Sequence, residues 1–178
     1  MSMTGDYTRW VRIIDIAEPV NNVFRRKGFF YRHRIPAFTA PQTYYFGFVT
    51  HPTKQSVVYT RSISAGEGPI SLMLYPAGNW TGGDTAVNPF CLRIGSPSAL
   101  MQVVSNATGF TAGAVPPNEI DYVFNSGNNV SVAGSAGLPT IFEPNQRFVI
   151  AVVASGTGAN RGVVFSIGFA EIDIPTNA

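Results

Sequence analysis

Short runs rich in Val, Ile, Phe and Tyr recur along the whole chain, each broken by Gly, Pro, Asn or Ser. That pattern reads as many short strands, and no helical period of useful length competes with it. The one weak exception, Val11 to Val20, contains Pro19 and β-branched residues, which argue against a helix. Within a strand, successive side chains point to opposite faces, so each run predicts its own inner face. Phe29, Tyr31, His33 and Ile35 fall on one parity, while Phe30, Arg32 and Arg34 fall on the other. Tyr44, Phe46 and Phe48 share a face of the next strand, and Val57, Tyr59 and Ile63 share one of the third. Ile70, Leu72 and Leu74 alternate cleanly. Leu100 to Val104 and then Ile120, Tyr122 and Phe124 follow.

Phe148 to Ala154 is apolar on both parities, as expected of a central strand covered on both sides. Ser155 to Gly162 holds three glycines and predicts the turn of a hairpin, with Val163, Phe165, Ile167 and Phe169 returning in one phase. The phase then flips to Ile172 and Ile174, which predicts a β-bulge near Ala170-Glu171; Pro175 would end the strand. Longer loops are expected from Pro76 to Pro97, Gly109 to Asn118 and Asn125 to Thr140. The expected fold is therefore all-β: a single-domain, jelly-roll-like antiparallel β-sandwich of about eight strands. Residues 24–178 would form the sandwich, and residues 1–23 an N-terminal arm or first strand.

Charge changes this picture. Only 12% of the 178 residues are Asp, Glu, Lys or Arg, while 45% are hydrophobic. Soluble domains usually carry about 25% charge. A folded surface so poor in charge resists association weakly unless other chains bury part of it. This points to an assembly subunit. Arg9, Arg12, Arg25, Arg26, Lys27, Arg32 and Arg34 place seven of the twelve basic residues in the first 34 positions. The remaining residues form a nearly neutral body. The net charge of +2 gives no strong case for nucleic acid. Arg25, Arg26, Lys27, Arg32 and Arg34 read instead as an interface for an acidic partner, or as a charged strand edge that deters pairing. The N-terminus lacks an apolar signal core, and no stretch approaches the roughly 20 apolar residues of a membrane span.

Candidate chemistry is sparse. His33 lies on the apolar parity of its strand and reads as a satisfied, semi-buried histidine; His51 reads as a loop residue. Two histidines without carboxylates or cysteines at ligand spacing predict no metal site and no cofactor. Cys91, in Pro89-Phe90-Cys91-Leu92, reads as a small buried hydrophobe. Glu119 and Asp121 share a parity and could in principle serve glycoside hydrolysis, but a solvated strand face explains them better. No nucleophile or phosphate-binding motif is present, so no enzyme is expected. The loop Gly78-Asn79-Trp80-Thr81-Gly82-Gly83-Asp84 is the best glycan candidate: an exposed Trp80 would stack on a sugar while Asn79 and Asp84 bond its hydroxyls. In the alternative, Trp80 simply covers the end of the sandwich.

Gly28-Phe29-Phe30-Tyr31-Arg32-His33-Arg34-Ile35, followed by Tyr44-Tyr45-Phe46-Gly47-Phe48-Val49-Thr50, resembles the opening strands of tailed-bacteriophage virion proteins. Phe142-Glu143-Pro144-Asn145-Gln146-Arg147-Phe148 is similar to the Pro-turn before the penultimate strand of jelly-roll assembly modules. The resemblance implies a non-catalytic virion component, trimeric or otherwise symmetric, assembled in the host cytoplasm. The absence of a long shaft favours a capsid decoration (cement) protein bound to the major capsid protein over a head or tail fibre. No binding residue transfers individually. For self-association, the outward parity of the doubly apolar strand, Val149, Ala151 and Val153, is the expected address.

Overall fold

A computed structural model describes residues 28–35, 38–65, 68–93, 95–125, 131–135, 140–160 and 162–173. Among them are eleven strands and no helix: β1 (Gly28–Ile35), β2 (Phe38–Val49), β3 (Gln55–Ala65), β4 (Gly68–Tyr75), β5 (Phe90–Cys91), β6 (Gln102–Val104), β7 (Asn118–Asn125), β8 (Ser131–Ser135), β9 (Thr140–Phe142), β10 (Arg147–Asn160) and β11 (Val163–Ile172). The first sheet runs β5-β1-β11-β3-β8, with β9 also pairing β3; the second runs β6-β2-β10-β4-β7. Every pairing is antiparallel. The expected β-sandwich is thus the fold.

The two sheets close over an aromatic core. Phe46 of the second sheet meets Phe165 of the first at 4.7 Å between ring centroids, and Phe148 meets Phe142 at 3.9 Å. Phe29, Tyr31 and Ile35 are buried on one parity of β1 while Arg32 and Arg34 are exposed on the other, as the alternation predicts. Phe46, Phe48, Ile70 and Leu72 are likewise fully buried, and Cys91 is a core residue.

Several expectations fail. The C-terminal hairpin does not exist: β10 lies in the second sheet between β2 and β4, and β11 in the first between β1 and β3. Each already has hydrogen-bonding partners on both sides, so neither has an edge for the other. The chain therefore crosses between sheets there, as it does from β1 to β2 and from β3 to β4.

The bulge is also elsewhere. Gly168 pairs Thr60 and Phe169 pairs Val58, so the extra residue is Tyr59 of β3. Before it, Ser56 and Val58 are buried; after it, Ile63 and Ala65 are. Val57 and Tyr59 accordingly do not share the inner face with Ile63. Gly168 makes room for this crossing, because a Cβ there would sit 2.5 Å from the Thr60 Cγ2 and 3.1 Å from the Tyr59 ring. A second register shift, between Leu72 and Met73, leaves Ile120 of β7 as the extra residue. This breaks the period-two argument that put Glu119 and Asp121 on one face. Finally, the stretch expected as loop from Asn125 to Thr140 contains β8 and the first residue of the short β9, and the loop after Pro76 contains β5. Those strands are too short or too polar to stand out from turns.

With no phase flip in β11, Glu171 stays on the inner parity. It is buried beside His51, which is likewise buried rather than an ordinary loop residue. One Glu171 oxygen accepts the backbone N–H groups of Leu100 and Met101 at 3.0 and 2.8 Å. The His51 Nδ1 accepts the N–H groups of Thr53 and Lys54, both at 3.0 Å. That assignment leaves the ring proton on Nε2, which faces the other Glu171 oxygen at 4.0 Å. Nearby, the Thr50 hydroxyl donates to the Glu143 carbonyl at 2.7 Å and accepts the Gln146 N–H at 2.7 Å. The end of β2 is thereby clipped to the Pro144 turn before β10. Glu171→Ala would leave two N–H groups without an acceptor, each worth about 1–3 kcal/mol where buried. Chemical denaturation should show a loss of about 2–5 kcal/mol for Glu171→Ala, and a smaller one for Glu171→Gln, which keeps an oxygen acceptor.

Candidate functional site

The outer face of the second sheet is roofed by the chain itself. After β4, backbone bridges join Asn79 to Thr111, Gly82 to Thr108 and Val87 to Val103, folding residues 79–111 into a strap. Trp80 and Ala107 from this strap bury Val149 of β10, with Tyr45, Val49, Tyr75, Val104 and Phe110 packed around them. Phe110 stacks on Tyr45 at 4.4 Å and meets Tyr75 edge-on at 4.8 Å. Gly47 of β2 is what admits Trp80, since a Cβ there would lie 2.4 Å from the indole. The Arg147 guanidinium lies over the ring at 3.9 Å and donates to the Trp80 carbonyl at 3.1 Å.

This geometry corrects two expectations. Val149 and Ala151 are fully buried within one chain, and Val153 is half-buried, so they do not offer a free apolar face to a second copy. Trp80 is only 7% exposed, so it is no stacking platform for a sugar. Asn79 uses its side-chain oxygen on the Trp80 N–H at 2.8 Å. Nothing in the alternation of the strap revealed this, because the strap has no regular strand period. The signal was Gly47, a glycine inside an otherwise aromatic strand, which marks a close approach.

Asp84, the third glycan candidate, belongs to a different group. Its carboxylate accepts the Ser105 hydroxyl at 2.7 Å, while the Tyr44 hydroxyl and His33 Nε2 lie 3.3 Å apart. Burial pushes Tyr31 up to about 12; Tyr44 and Asp84 add to the rise, and a bond with Ser105 opposes it. Burial also raises Tyr44 and lowers His33, the latter opposed by Asp84. At neutral pH this leaves protonated phenols beside an uncharged imidazole. Because Ser105 is engaged by Asp84 and His33 faces Tyr44, the group does not form a serine–histidine relay.

The outer face of the first sheet keeps its functional candidates. Arg32 and Arg34 are exposed there, two residues apart on β1 and thus about 7 Å from each other. Phe30 shares their parity and packs edge-on against Phe90 at 5.9 Å. Arg25, Arg26 and Lys27, grouped with them in the sequence, lie outside the described residues.

Removing the Trp80 side chain should empty the roof. Trp80→Ala is expected to cost about 3–5 kcal/mol in denaturant unfolding. Alkali should also destabilise the fold. Burial holds Tyr31 and Tyr59 at about 12, whereas unfolded phenols ionise near 10. Between those values the unfolded chain binds fewer protons, so stability is intact below about pH 10 and falls as the pH rises toward 12. Denaturation midpoints across that range should fall less steeply for Tyr31→Phe or Tyr59→Phe than for the parent.

No family model, no curated protein and no solved structure matches this chain, so its function is argued from its own surfaces.

Proposed function

We propose that this chain is a non-enzymatic structural subunit of a phage virion: a capsid decoration protein that docks on the head shell through the outer face of its first sheet. The observation that carries this reading is the contrast between the two sheet faces. The second sheet is roofed by the chain's own strap. The first presents Arg32 and Arg34 beside the half-buried Phe30 and the exposed Phe90.

Two further points support it. The order β1-β11-β3-β8 in one sheet and β2-β10-β4-β7 in the other, with most chain neighbours in opposite sheets, supports a jelly-roll reading of the sandwich, an architecture that recurs in viral capsids. Fold alone does not assign function, but the shortage of charge adds an independent reason to expect buried surface in an assembly. The mechanism is electrostatic and geometric. Two guanidinium groups held on a rigid strand can each engage a carboxylate with paired hydrogen bonds. Symmetric self-association would multiply such contacts against a repeating shell. The burial of Trp80 weighs against the alternative of a glycan-binding fibre module.

Co-sedimentation with capsids of the encoding phage that lack this protein tests the proposal. The parent chain should bind, and binding should weaken with added salt. Arg32→Glu combined with Arg34→Glu should lower affinity at least about tenfold, the loss of roughly 1.4 kcal/mol or more. Absence of parental binding at low salt, or undiminished binding by the double variant, would overturn the reading.

A further inference from the structure

One end of the sandwich holds buried chemistry that the docking face does not use. His51, at the start of the β2–β3 turn, and Glu171, near the end of β11, are both buried. Ser56 of β3 is fully buried and pairs directly with Glu171 in the ladder, so the two project from one face with Cβ atoms about 5 Å apart. The Ser56 hydroxyl makes no hydrogen bond among the described residues. The other charged groups at this end are engaged elsewhere. Lys54 of the turn pairs with Asp173 after β11 at 3.0 Å, and Glu143 of the Pro144 turn accepts the Gln55 amide at 3.1 Å. Among the described residues, Glu171 is the charged group that faces the His51 ring.

The His51 Nδ1 holds the turn as an Asx side chain would, accepting the N–H groups of Thr53 and Lys54, two and three residues ahead. Its lone pair is thereby in use, and Nε2 already carries the ring proton. A second proton must enter at Nδ1, where it would point at two N–H donors. An imidazolium and this turn cannot share one geometry. The Glu171 carboxylate also faces two ways. One oxygen holds the Leu100 and Met101 N–H groups, and the other lies 4.0 Å from Nε2. That separation is too long for a hydrogen bond but short enough for a charge to act across it. Each group therefore has a second arrangement, with the ring drawn to the carboxylate and away from the turn. The idle Ser56 hydroxyl, opposite Glu171, supplies a hydrogen bond that only the second arrangement uses.

We propose that His51, Glu171 and Ser56 form an acid-operated latch. A second proton on the His51 ring releases the Thr53 and Lys54 amides, draws the Glu171 carboxylate toward the ring and the Ser56 hydroxyl, and lets go of Leu100 and Met101. Histidine is the side-chain type whose charge changes between about pH 5 and 8, so mild acid is the trigger. The released segment bears on the surface. Leu100 is 56% exposed and stands between the buried Ala99 and Met101. The Asn88 side-chain amide donates to the carbonyls of Ala99 and Met101, which ties residue 88 to the same latch. Opening it loosens a surface segment whose exposed side chains include Leu100 and Phe90. The latch stands apart from capsid docking, which uses Arg32 and Arg34 on the sheet face.

Nuclear magnetic resonance on the purified full chain, with amide exchange followed across pH, provides the test. At about pH 7.5 the ring nitrogen shifts of His51 should report a proton on Nε2 alone. Toward about pH 5 both ring nitrogens should be protonated, and the protection factors of Thr53, Lys54, Leu100 and Met101, corrected for intrinsic exchange, should fall at least about tenfold. The amides of Phe46 and Ile150 in the central strands should keep theirs, which separates a latch from acid unfolding. His51→Asn keeps an oxygen acceptor for the turn and has no proton to gain. Its protection should match the parent at neutral pH and stay level in acid. Ser56→Ala should match the parent at neutral pH and open at a lower pH. Parental protection that does not change, a fall shared by Phe46 and Ile150, the same fall in His51→Asn, or opening of Ser56→Ala at the parental pH would overturn the inference. None of these outcomes bears on capsid binding by Arg32 and Arg34, so the two readings fail separately.

Discussion

Strand β10 is apolar on both faces, and the rest of the molecule is arranged to cover it twice. Its even residues, Phe148, Ile150, Val152 and Ala154, enter the core between the sheets. Its odd residues, beginning with Val149, require a second cover, and the strap carrying Trp80, Ala107 and Phe110 supplies it. Burying a side chain of this size stabilises the fold by about 1.5–3 kcal/mol, so leaving either face open would be costly in a domain of ordinary stability. The strap in turn depends on backbone bridges, on the space above Gly47 and on the Arg147 guanidinium over the indole.

That double cover makes the two sheets unequal outward. One presents a roof of turns, the other, among the described residues, the exposed Arg32 and Arg34 of β1. The shortage of charge in the sequence suggested hidden surface, and much of it is hidden by the chain itself. Among the described residues, the exposed positions include Arg32 and Arg34 of β1 and the apolar Phe90, Leu92, Leu100 and Ile141 at the sheet edges.

Alternation was readable wherever a strand kept one register. The inner faces of β1, β2 and β4 follow directly from their side-chain parity, and so does the burial of Phe46, Phe48, Ile70 and Leu72. The reading failed where one residue was inserted. The slip belongs to Tyr59, because a bulge shifts a strand relative to its partner and the sequence of one strand does not show which partner bends. Glu171 was read as part of that slip, yet it points inward to hold two backbone N–H groups contributed from 70 residues away or more. A buried carboxylate of this kind has no local signature, since its acceptors' partners come from a distant loop. The candidate site divided in the same way: exposed Arg32 and Arg34 were legible from parity, whereas the burial of Trp80 was not.

The amino-acid sequence by itself determined the longer strands, the inner faces of β1, β2 and β4, the sandwich class and the concentration of basic residues at one end. These are local properties, fixed by side-chain parity and composition. Only the tertiary structure decided which strands pair, which sheet each joins, and which outer face the strap covers. Those outcomes depend on contacts between residues far apart in the chain. The sequence showed that Phe148 to Ala154 needed cover on two sides. Only the fold decided that the second cover would be Trp80 and its strap rather than another protomer.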